Sequence, residues 1–420
     1  MLIKQVGLKM ISSAKRGKNE RQGLHMWHPY YAGYSESFVL SVLKSEKLAQ
    51  NAVVLDPWMG SGTTGLVCQK QNVNCIGADI NPIMSRFAAA KNHMIIAELN
   101  ANGLVILDDI LTRYIVSSRR LAKKIKNSHI AIAHLKKIFE SISSHFVEET
   151  PSLEMDSLAS FYYGVLFFTS RKSLDINSGS NPTWVIDKEL ENKLINVDLI
   201  GDFKSNFILM RQQLNDYFYG VDTKSNYKVL NADCKALPIG DEEIDMVITS
   251  PPYLTRIDYA ASTKFELQLT FGQEGYESIR KSSMGTTTVP RVADPFNPQW
   301  GEICSGVLEQ VVAHTSRASD TYYIKNKLRY FSDAYSALRE IYRVLKCNSS
   351  AYLVLQNSYY KEIEIPLYDI YCEMACNIGY TSSEVVKEEK LRTSLGQINP
   401  KSSFYLKDKI YYEKIIKVTK

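Results

Sequence analysis

Residues 51–81 read NAVVLDPWMGSGTTGLVCQKQNVNCIGADIN. Residues 52–55 are a short, apolar, β-branched run, which is typical of a buried parallel strand. A glycine-rich turn follows, then a helical pattern at 63–71, then a second apolar run at 75–78. Strand, turn, helix and strand in this order predict a βαβ unit, and therefore an α/β fold with a parallel sheet and a right-handed crossover.

The rest of the sheet is expected far downstream. Residues 227–231 and 245–249 have the composition of strands, and a helical pattern at 331–345 leads into another strand at 351–356. Residues 409–416 are expected to form the last strand. The sheet is therefore predicted to be assembled from both ends of the chain.

The composition limits the class of protein. The 420 residues, with 45% hydrophobic and 23% charged side chains, indicate an ordinary globular chain of two to three domains, or one core with large insertions. No run approaches the ~18 apolar residues of a membrane helix, and the first 21 residues lack an apolar secretion segment, so we expect a cytoplasmic protein with no membrane partner. Seven cysteines without a repeating spacing argue against a disulfide framework, and we expect no metal site. The net charge of +5 permits a polyanionic partner without requiring one.

The turn after the first strand matches G-x-G-x-x-G at Gly60, Gly62 and Gly65. Asp79 follows nineteen residues after Gly60 (79 − 60), at the end of the next predicted strand. Such glycines let the backbone approach a nucleoside ligand, and the carboxylate accepts hydrogen bonds from ribose hydroxyls. This pattern by itself suits NAD as readily as S-adenosylmethionine.

Two further features favour the methyl donor. Asp56 and Pro57 end the first strand, and a carboxylate there would attract the sulfonium and ammonium of S-adenosylmethionine but repel a pyrophosphate. The second feature is the tetrapeptide Ser-Pro-Pro-Tyr, residues 250–253, at the carboxyl end of a predicted strand, where open α/β sheets bind ligands.

This tetrapeptide suits an exocyclic amine as the nucleophile, because the lone pair of such an amine is delocalised into its ring. The hydroxyl of Ser250 and the carbonyl of Pro251 can accept the two N–H bonds and turn the lone pair towards a methyl group. Pro252, with its fixed φ, helps to hold the loop. Tyr253 offers a flat face on which a base can stack.

Several motifs together resemble a known family, the bacterial site-specific DNA amino-methyltransferases. Residues 56–64, DPWMGSGTT, resemble the cofactor motif of that family, and residues 77–82, GADINP, are similar to its ribose-binding motif. Residues 249–253, TSPPY, resemble the catalytic motif of the N4-cytosine branch, in which serine replaces the Asp or Asn usual in N6-adenine enzymes. Residues 28–31, HPYY, with a helix at 37–43, resemble the motif that precedes the cofactor site.

Two later segments extend the resemblance. Residues 231–233 resemble the segment whose Asp contacts the adenine of the donor, and 331–356 resemble the helix and strand that close the sheet. The resemblance implies S-adenosylmethionine as cofactor, no metal, and catalysis by Ser250, Pro251, Pro252 and Tyr253. The cofactor-binding residues that it implies, together with the residues themselves, are His28, Asp56, Pro57, Gly60, Gly62, Thr63, Asp79, Asn81 and Asp233.

The implied architecture is a Rossmann-like methyltransferase sheet with a large helical insertion. We expect residues 1–98 to form the N-terminal part of the catalytic domain, with the cofactor motif. Residues 99–220 would be a helical insertion that is a candidate DNA-recognition region. Residues 221–420 would complete the catalytic domain and include a long, mobile loop at 271–326.

Candidate DNA contacts are basic residues in two places. Arg119, Arg120, Lys123 and Lys124 lie in the insertion and could contact phosphates or simply form a solvated helix face. Arg256 follows the catalytic motif and could contact a phosphate or the orphaned strand, or pair with Asp258.

The function that these features predict is methylation of cytosine N4 in double-stranded DNA, with the base flipped out of the helix. A restriction-modification or related defence system is the expected context, and a cognate restriction endonuclease is a candidate partner. Alternatives are an N6-adenine enzyme of the same family and an RNA or protein amide methyltransferase. From other classes come an NAD-dependent oxidoreductase that uses the G-x-G-x-x-G turn and a non-catalytic DNA-binding module.

Overall fold

A central sheet with helices around it forms the protein, so the predicted α/β fold is confirmed. The structure is a computed structural model, and it describes residues 11–17, 20–28, 33–147, 152–176, 195–254, 258–391 and 409–420. None of the described helices is both long and apolar enough to cross a membrane.

Within these residues the main sheet has seven strands in the order β3-β2-β1-β4-β5-β9-β8. The first five strands in this order are parallel, and β9 runs antiparallel to both of its neighbours. A separate hairpin joins β6 to β7. The strands are β1 (Val53–Asp56), β2 (Asn74–Asp79), β3 (Tyr227–Asn231), β4 (Ile244–Thr249), β5 (Leu345–Gln356), β6 (Ser358–Tyr360), β7 (Ile363–Ile365), β8 (Ser382–Leu391) and β9 (Tyr411–Thr419).

The sheet is built from both ends of the chain, as predicted.

The α-helices are α1 (Glu36–Ser45), α2 (Thr63–Lys70), α3 (Pro82–Ala89), α4 (Ile96–Ala101), α5 (Gly103–Ser117), α6 (Ser128–His145), α7 (Ser157–Ser173), α8 (Leu199–Tyr217), α9 (Lys264–Ser282), α10 (Glu302–Ala313), α11 (Ile324–Val344) and α12 (Leu367–Ile378).

The strand order reverses beside β1. The chain passes from β1 to β2 and β3 on one side and then returns to place β4 and β5 on the other side. In open α/β sheets a crevice opens at such a reversal, beyond the carboxyl ends of the strands, and ligands bind in it. The cofactor motif after β1 and the Ser-Pro-Pro-Tyr motif after β4 both lie at this point.

The turn between β1 and α2 depends on glycine. Gly62 is the N-cap of α2 and has a φ of 84° in the left-handed region. A Cβ at this position would lie 2.9 Å from both the Cβ of Ala88 on α3 and the Oη of Tyr227 on β3. Only glycine combines this backbone with so close a packing, so Gly62 brings the first turn of α2 against the sheet.

Most of the described residues of the predicted insertion are helical. Helices α4 to α8 fall between α3 and β3, and α7 contacts both α3 and α8. The aromatic side chains of Phe87 on α3, Phe161 and Phe167 on α7, and Phe207 on α8 are fully buried in one core cluster. The insertion therefore shares a core with the first βαβ unit.

The prediction of a long loop at 271–326 is wrong. Helix α9 continues to Ser282, α10 occupies Glu302–Ala313, and a π-helical turn forms at Ser319–Tyr323. Cys304, Val307, Leu308 and Val311 have helical spacing on α10 and are buried in the C-terminal core cluster. Burial of this apolar stripe gives the segment a stable helix, although its neighbours in the sequence are polar.

Candidate active site

A cleft of about 960 Å³, partly open to solvent, lies at the strand-order reversal. The segments after β1, β2, β3 and β4 all contribute to it, and residues from the start and end of α9 form another wall. The lining residues are Gly33, Tyr34, Pro57, Trp58, Met59, Ser61, Thr63, Asp79, Ile80, Asn81, Met84, Asp233, Cys234, Lys235, Ser250, Pro251, Pro252, Tyr253, Tyr259, Ala260, Ser282, Ser283 and Met284.

Asp79 holds the cofactor loop in place. Its Oδ2 accepts a hydrogen bond from the backbone N–H of Gly60 at 3.0 Å, and its Oδ1 accepts one from Asn81 N at 2.8 Å. Burial nevertheless raises the pKa of the Asp79 carboxyl to about 6. Each oxygen keeps a lone pair, so the side chain can still accept hydrogen bonds from ligand hydroxyls in the cleft.

A buried lysine supports the same loop from behind. The Nζ of Lys91 donates a hydrogen bond to the carbonyl of Ser61 at 2.7 Å, and the side chain is 1% exposed. Burial lowers the pKa of Lys91 to about 7. The carbonyl of Ser61 is thereby fixed from the protein interior.

Asp56, predicted to face a cationic ligand, lies behind the cleft rather than on its surface. Its carboxylate is buried and is not among the residues that line the cleft. It accepts hydrogen bonds from the hydroxyls of Tyr34 at 2.5 Å, Thr64 at 2.6 Å and Thr249 at 2.7 Å. Asp56 therefore links the start of α2 to Thr249, the residue before Ser250, through hydrogen bonds, and its role in the site is structural.

Acidic groups still dominate the ionisable lining of the cleft. Asp79 and Asp233 are carboxylates, whereas Lys235 is the one lysine or arginine among the described lining residues. The Nζ of Lys235 lies 2.7 Å from Asp333 Oδ1 and 3.6 Å from Asp233 Oδ2, so its charge is already balanced. The charges of the described lining suit a cationic ligand, such as one with the sulfonium and ammonium of S-adenosylmethionine, better than a pyrophosphate.

The far end of the cleft is the Ser250–Tyr253 loop. The carbonyl of Pro252 accepts a hydrogen bond from Tyr330 Oη at 2.8 Å, and the backbone N–H of Tyr253 donates to Tyr259 Oη at 3.0 Å. Two tyrosines from outside the motif thus fix its backbone.

Tyr253 remains a neutral phenol. Burial and the neighbouring charge of Glu413 raise its pKa well above the usual value. Glu413, on β9, is affected in turn, because burial and the charge of Glu389 raise the pKa of its carboxyl to about 7. A neutral ring at this place offers an uncharged stacking surface.

Other predicted cofactor residues differ in their positions. Pro57, Thr63, Asn81 and Asp233 line the cleft with Asp79, whereas Gly60 and Gly62 shape the turn without lining it. His28 is 1% exposed, packs against the ring of Phe87 at 5.3 Å between centroids, and does not line the cleft. Burial and the charge of Arg171 lower the pKa of His28 well below its usual value. Residues 29–31 of the same motif lie outside the described residues.

The four predicted DNA contacts that the structure describes do not line the cleft. Arg119, Arg120, Lys123 and Lys124 are exposed in the connection between α5 and α6, which is a turn and loop rather than a helix face. Arg256 lies outside the described residues. Asp258, its suggested partner, pairs with Arg280 at 2.5 Å.

Sequence reasoning missed several lining residues because no motif contains them. Tyr34 reaches Asp56 from the segment before α1, and Tyr259 stands six residues beyond Tyr253 (259 − 253). Met284 and Ser283 reach the cleft from the end of α9, in a polar run that the sequence predicts as part of a loop. Trp58 and Met59 are the exception: they lie within the cofactor motif, and their position there could have identified them.

Comparison with known proteins finds similarity to DNA methyltransferases. Residues 18–91 match the model of a family described as DNA methylase. The chain is 22% identical over 404 residues to the Type II methyltransferase M.BsoBI of Geobacillus stearothermophilus, an alignment that covers 87% of this chain and 75% of the relative. It is 23% identical over 411 residues to the Type II methyltransferase M.AvaI of Nostoc sp., covering 88% of this chain and 81% of that relative. The Type II methyltransferase M.MjaII of Methanocaldococcus jannaschii is 34% identical over 74 residues, which are 18% of this chain and 14% of the relative.

Proposed function

From the confirmed resemblance to DNA methyltransferases, we propose that this protein transfers a methyl group from S-adenosylmethionine to the N4 amine of cytosine in double-stranded DNA. One observation carries the proposal. The donor-side carboxylates Asp79 and Asp233 and the Ser250–Tyr253 loop line a single cleft at the strand-order reversal. Donor and acceptor can therefore meet there.

The chain's own residues contribute mainly by alignment. S-adenosylmethionine supplies, when bound, an electrophilic methyl group on sulfur. In this proposal Asp79 accepts hydrogen bonds from the ribose, and Asp233 accepts one from the adenine amine. Ser250 Oγ and the Pro251 carbonyl accept the two N–H bonds of the target amine, which turns its lone pair towards the methyl carbon. Because the protein holds the amine nitrogen and the methyl carbon in line, the entropic cost of bringing them together is met on binding and the activation barrier is lower. After the transfer, the product nitrogen loses its proton to solvent.

The target amine lies inside the duplex, so the base must leave the stack. Unstacking costs a few kcal/mol, which contacts in the protein offset. The neutral ring of Tyr253 lines the cleft beside Ser250 and provides one stacking face. Serine at position 250 supports cytosine as the target, by resemblance to the N4-cytosine branch.

The experiment compares donor binding with methylation in two variants. Ser250→Ala removes an acceptor for the amine and Tyr253→Ala removes the stacking face, so each should abolish DNA methylation. Both should still bind S-adenosylmethionine in isothermal titration, because Asp79 and Asp233 are unchanged. Ser383→Ala and Tyr219→Ala, at exposed positions, are the matched controls and should keep full activity.

Mass analysis of nucleosides from the methylated DNA identifies the base. N4-methylcytosine is the expected product, and N6-methyladenine would correct the target while keeping the site. Retained activity in Ser250→Ala would contradict the catalytic assignment. Tighter binding of NAD than of S-adenosylmethionine would favour an oxidoreductase instead. A restriction-modification context is part of the same proposal, and the names of the relatives, which are Type II methyltransferases, support it. A cognate endonuclease as partner belongs to the proposal as well.

A further inference from the structure

Tyr259 presents a hydroxyl group whose proton is unused. It begins a short 3-10 helix, Tyr259–Thr263, beyond the catalytic loop, and it lines the cleft with Tyr253. Its Oη accepts the hydrogen bond from the backbone N–H of Tyr253 at 3.0 Å. A phenol that accepts a hydrogen bond still carries its own proton, and no acceptor for that proton is found among the described residues.

The surrounding contacts fix Tyr259 in this position. Asp258 caps the 3-10 helix by accepting a hydrogen bond from Ala261 N at 3.2 Å, and it also pairs with Arg280. At the other end of the helix, Thr263 Oγ1 accepts a hydrogen bond from Asn81 Nδ2 at 2.8 Å. Burial raises the pKa of Tyr259 to about 12, so the hydroxyl stays protonated over the working range of an enzyme.

The location of this donor suggests what it meets. Tyr259 is hydrogen-bonded to the backbone of Tyr253 and lines the same cleft as Ser250 and Pro251, the residues proposed to hold the target amine. In cytosine the ring atom next to the amine-bearing carbon is N3, and in adenine it is N1. Both atoms are hydrogen-bond acceptors on the edge of the base that becomes free when the base leaves its pair.

We propose that Tyr259 Oη donates a hydrogen bond to this ring nitrogen and so orients the flipped base. This inference rests on the proposed function and adds to it a residue that touches the substrate. With the amine on Ser250 and Pro251, a third hydrogen bond fixes the rotation of the base in its own plane.

The same contact distinguishes amino bases from keto bases. Thymine N3 and guanine N1 carry a proton at the corresponding place. The hydroxyl of Tyr259 would then face another hydrogen-bond donor instead of an acceptor. A buried donor left without an acceptor is costly, which makes such a site an effective filter. Tyr259 would thus favour cytosine and adenine, which accept its hydrogen bond, over thymine and guanine, to which it cannot donate.

A cycle of two changes tests the contact. Tyr259→Phe removes the hydroxyl, and a duplex with a 3-deazacytosine target (1-deazaadenine if adenine is the substrate) replaces the ring nitrogen with C–H. Each change alone should lower kcat/KM by about tenfold, as the loss of one hydrogen bond to a polar group. Once the nitrogen is absent, Tyr259→Phe should cost little more, because the hydrogen bond is already gone.

A purely structural role predicts a different pattern. If Tyr259 only supports Tyr253 N, then Tyr259→Phe lowers kcat/KM by the same factor on both duplexes, and the inference is overturned. The quantity compared is the ratio of kcat/KM for the wild type to kcat/KM for Tyr259→Phe, taken on each duplex separately. Any change in amine reactivity caused by the deaza base affects both enzymes and cancels in this ratio. Tyr219→Phe, at a side chain that is 91% exposed, is the control and should behave as the wild type on both duplexes. Absence of methylation by the wild type on ordinary DNA would refute the proposed function and this inference together, whereas methylation with equal factors refutes the inference alone.

Discussion

Two carboxylates at the ends of neighbouring strands have opposite roles. Asp56 ends β1 and is surrounded by hydroxyl donors from Tyr34, Thr64 and Thr249, which leave it buried behind the cleft. Asp79 ends β2, accepts two backbone N–H groups and remains open to the cleft. The Asp56 carboxylate, with its hydrogen bonds made inside the protein, holds neighbouring segments together, whereas the Asp79 carboxylate is accessible and can bind a ligand.

Donor affinity should therefore depend on pH through Asp79. Burial raises the pKa of its carboxyl to about 6, and only the ionised form accepts ribose hydrogen bonds on both oxygens. The dissociation constant for S-adenosylmethionine should thus rise as the pH falls through 6 and stay constant above about pH 7. Isothermal titration at pH 5 to 8 measures this dependence.

The variant Asp79→Asn provides the comparison. It should bind the donor more weakly at pH 8 and lose the dependence near pH 6, because the amide does not titrate. Circular dichroism at each pH checks that the fold is intact. A wild-type dissociation constant that does not change between pH 5 and 7.5 would contradict the role of Asp79.

Residues in motifs are predictable from the sequence, and residues that reach the site through tertiary contacts are not. Asp79 and Ser250 carry chemistry at a recognisable spacing, so the sequence indicates both. The sequence does not indicate the burial of Asp56, because its three hydroxyl partners come from separate segments. Tyr259 has no motif around it, and only the hydrogen bond to Tyr253 N reveals it.

The elements of the insertion and of the catalytic domain are joined by a buried ion pair. Arg171 on α7 binds the carboxylate of Glu266 on α9 with two nitrogens, one of them at 3.0 Å, and also donates to the carbonyl of Ser262. Glu266 is 0% exposed and Arg171 is 7% exposed. Helix α7 thereby fixes the 3-10 helix that carries Tyr259, so the insertion helps to shape the active site.

Removing only one member of the Arg171–Glu266 pair should destabilise the protein more than removing both. Arg171→Met leaves the Glu266 charge buried without its counterion and should lower the free energy of unfolding by about 3–5 kcal/mol. The double variant Arg171→Met/Glu266→Leu removes both charges and should be more stable than the single variant. Urea denaturation followed by circular dichroism measures both values.

An exposed pair serves as the control. Arg113 and Asp109 on α5 are 45% and 40% exposed at 2.6 Å, so Arg113→Met should change the free energy of unfolding by less than about 1 kcal/mol. If Arg171→Met were as mild as this control, the pair would not hold α7 to α9.

Elements with a strong apolar pattern are predictable to within a few residues. Residues 227–231 are predicted as a strand and form β3, and the predicted helix at 331–345 is the second half of α11. Helix α10 escapes prediction because its stripe is short and lies between polar segments, and it becomes a helix by packing on α12 and Trp300. Tertiary burial, rather than local pattern, decides the structure of that region.

On the scale of the whole molecule, charge is distributed unevenly relative to the cleft. The described lining of the cleft has two carboxylates, Asp79 and Asp233, and one lysine, Lys235, which suits a cationic donor better than a phosphate backbone. If the proposed function is correct, basic residues beyond this lining are needed to bind double-stranded DNA. Among the described residues, the connection between α5 and α6 offers Arg119, Arg120, Lys123 and Lys124, all exposed.

The dependence of DNA affinity on salt tests whether this connection contacts phosphates. Each neutralised phosphate releases counterions, so the slope of log K against log salt changes by about 0.9 for every phosphate that is no longer neutralised. Lys123→Gln/Lys124→Gln should therefore make the slope shallower by about 1.8 and weaken binding to all sequences alike. The control Lys47→Gln/Lys224→Gln removes the same charge from exposed positions before β1 and β3. These positions are at the amino ends of the strands, whereas the cleft is at the carboxyl ends, so the slope should be unchanged. If the two double variants shift the slope equally, only net charge matters, and the insertion does not bind DNA through this connection.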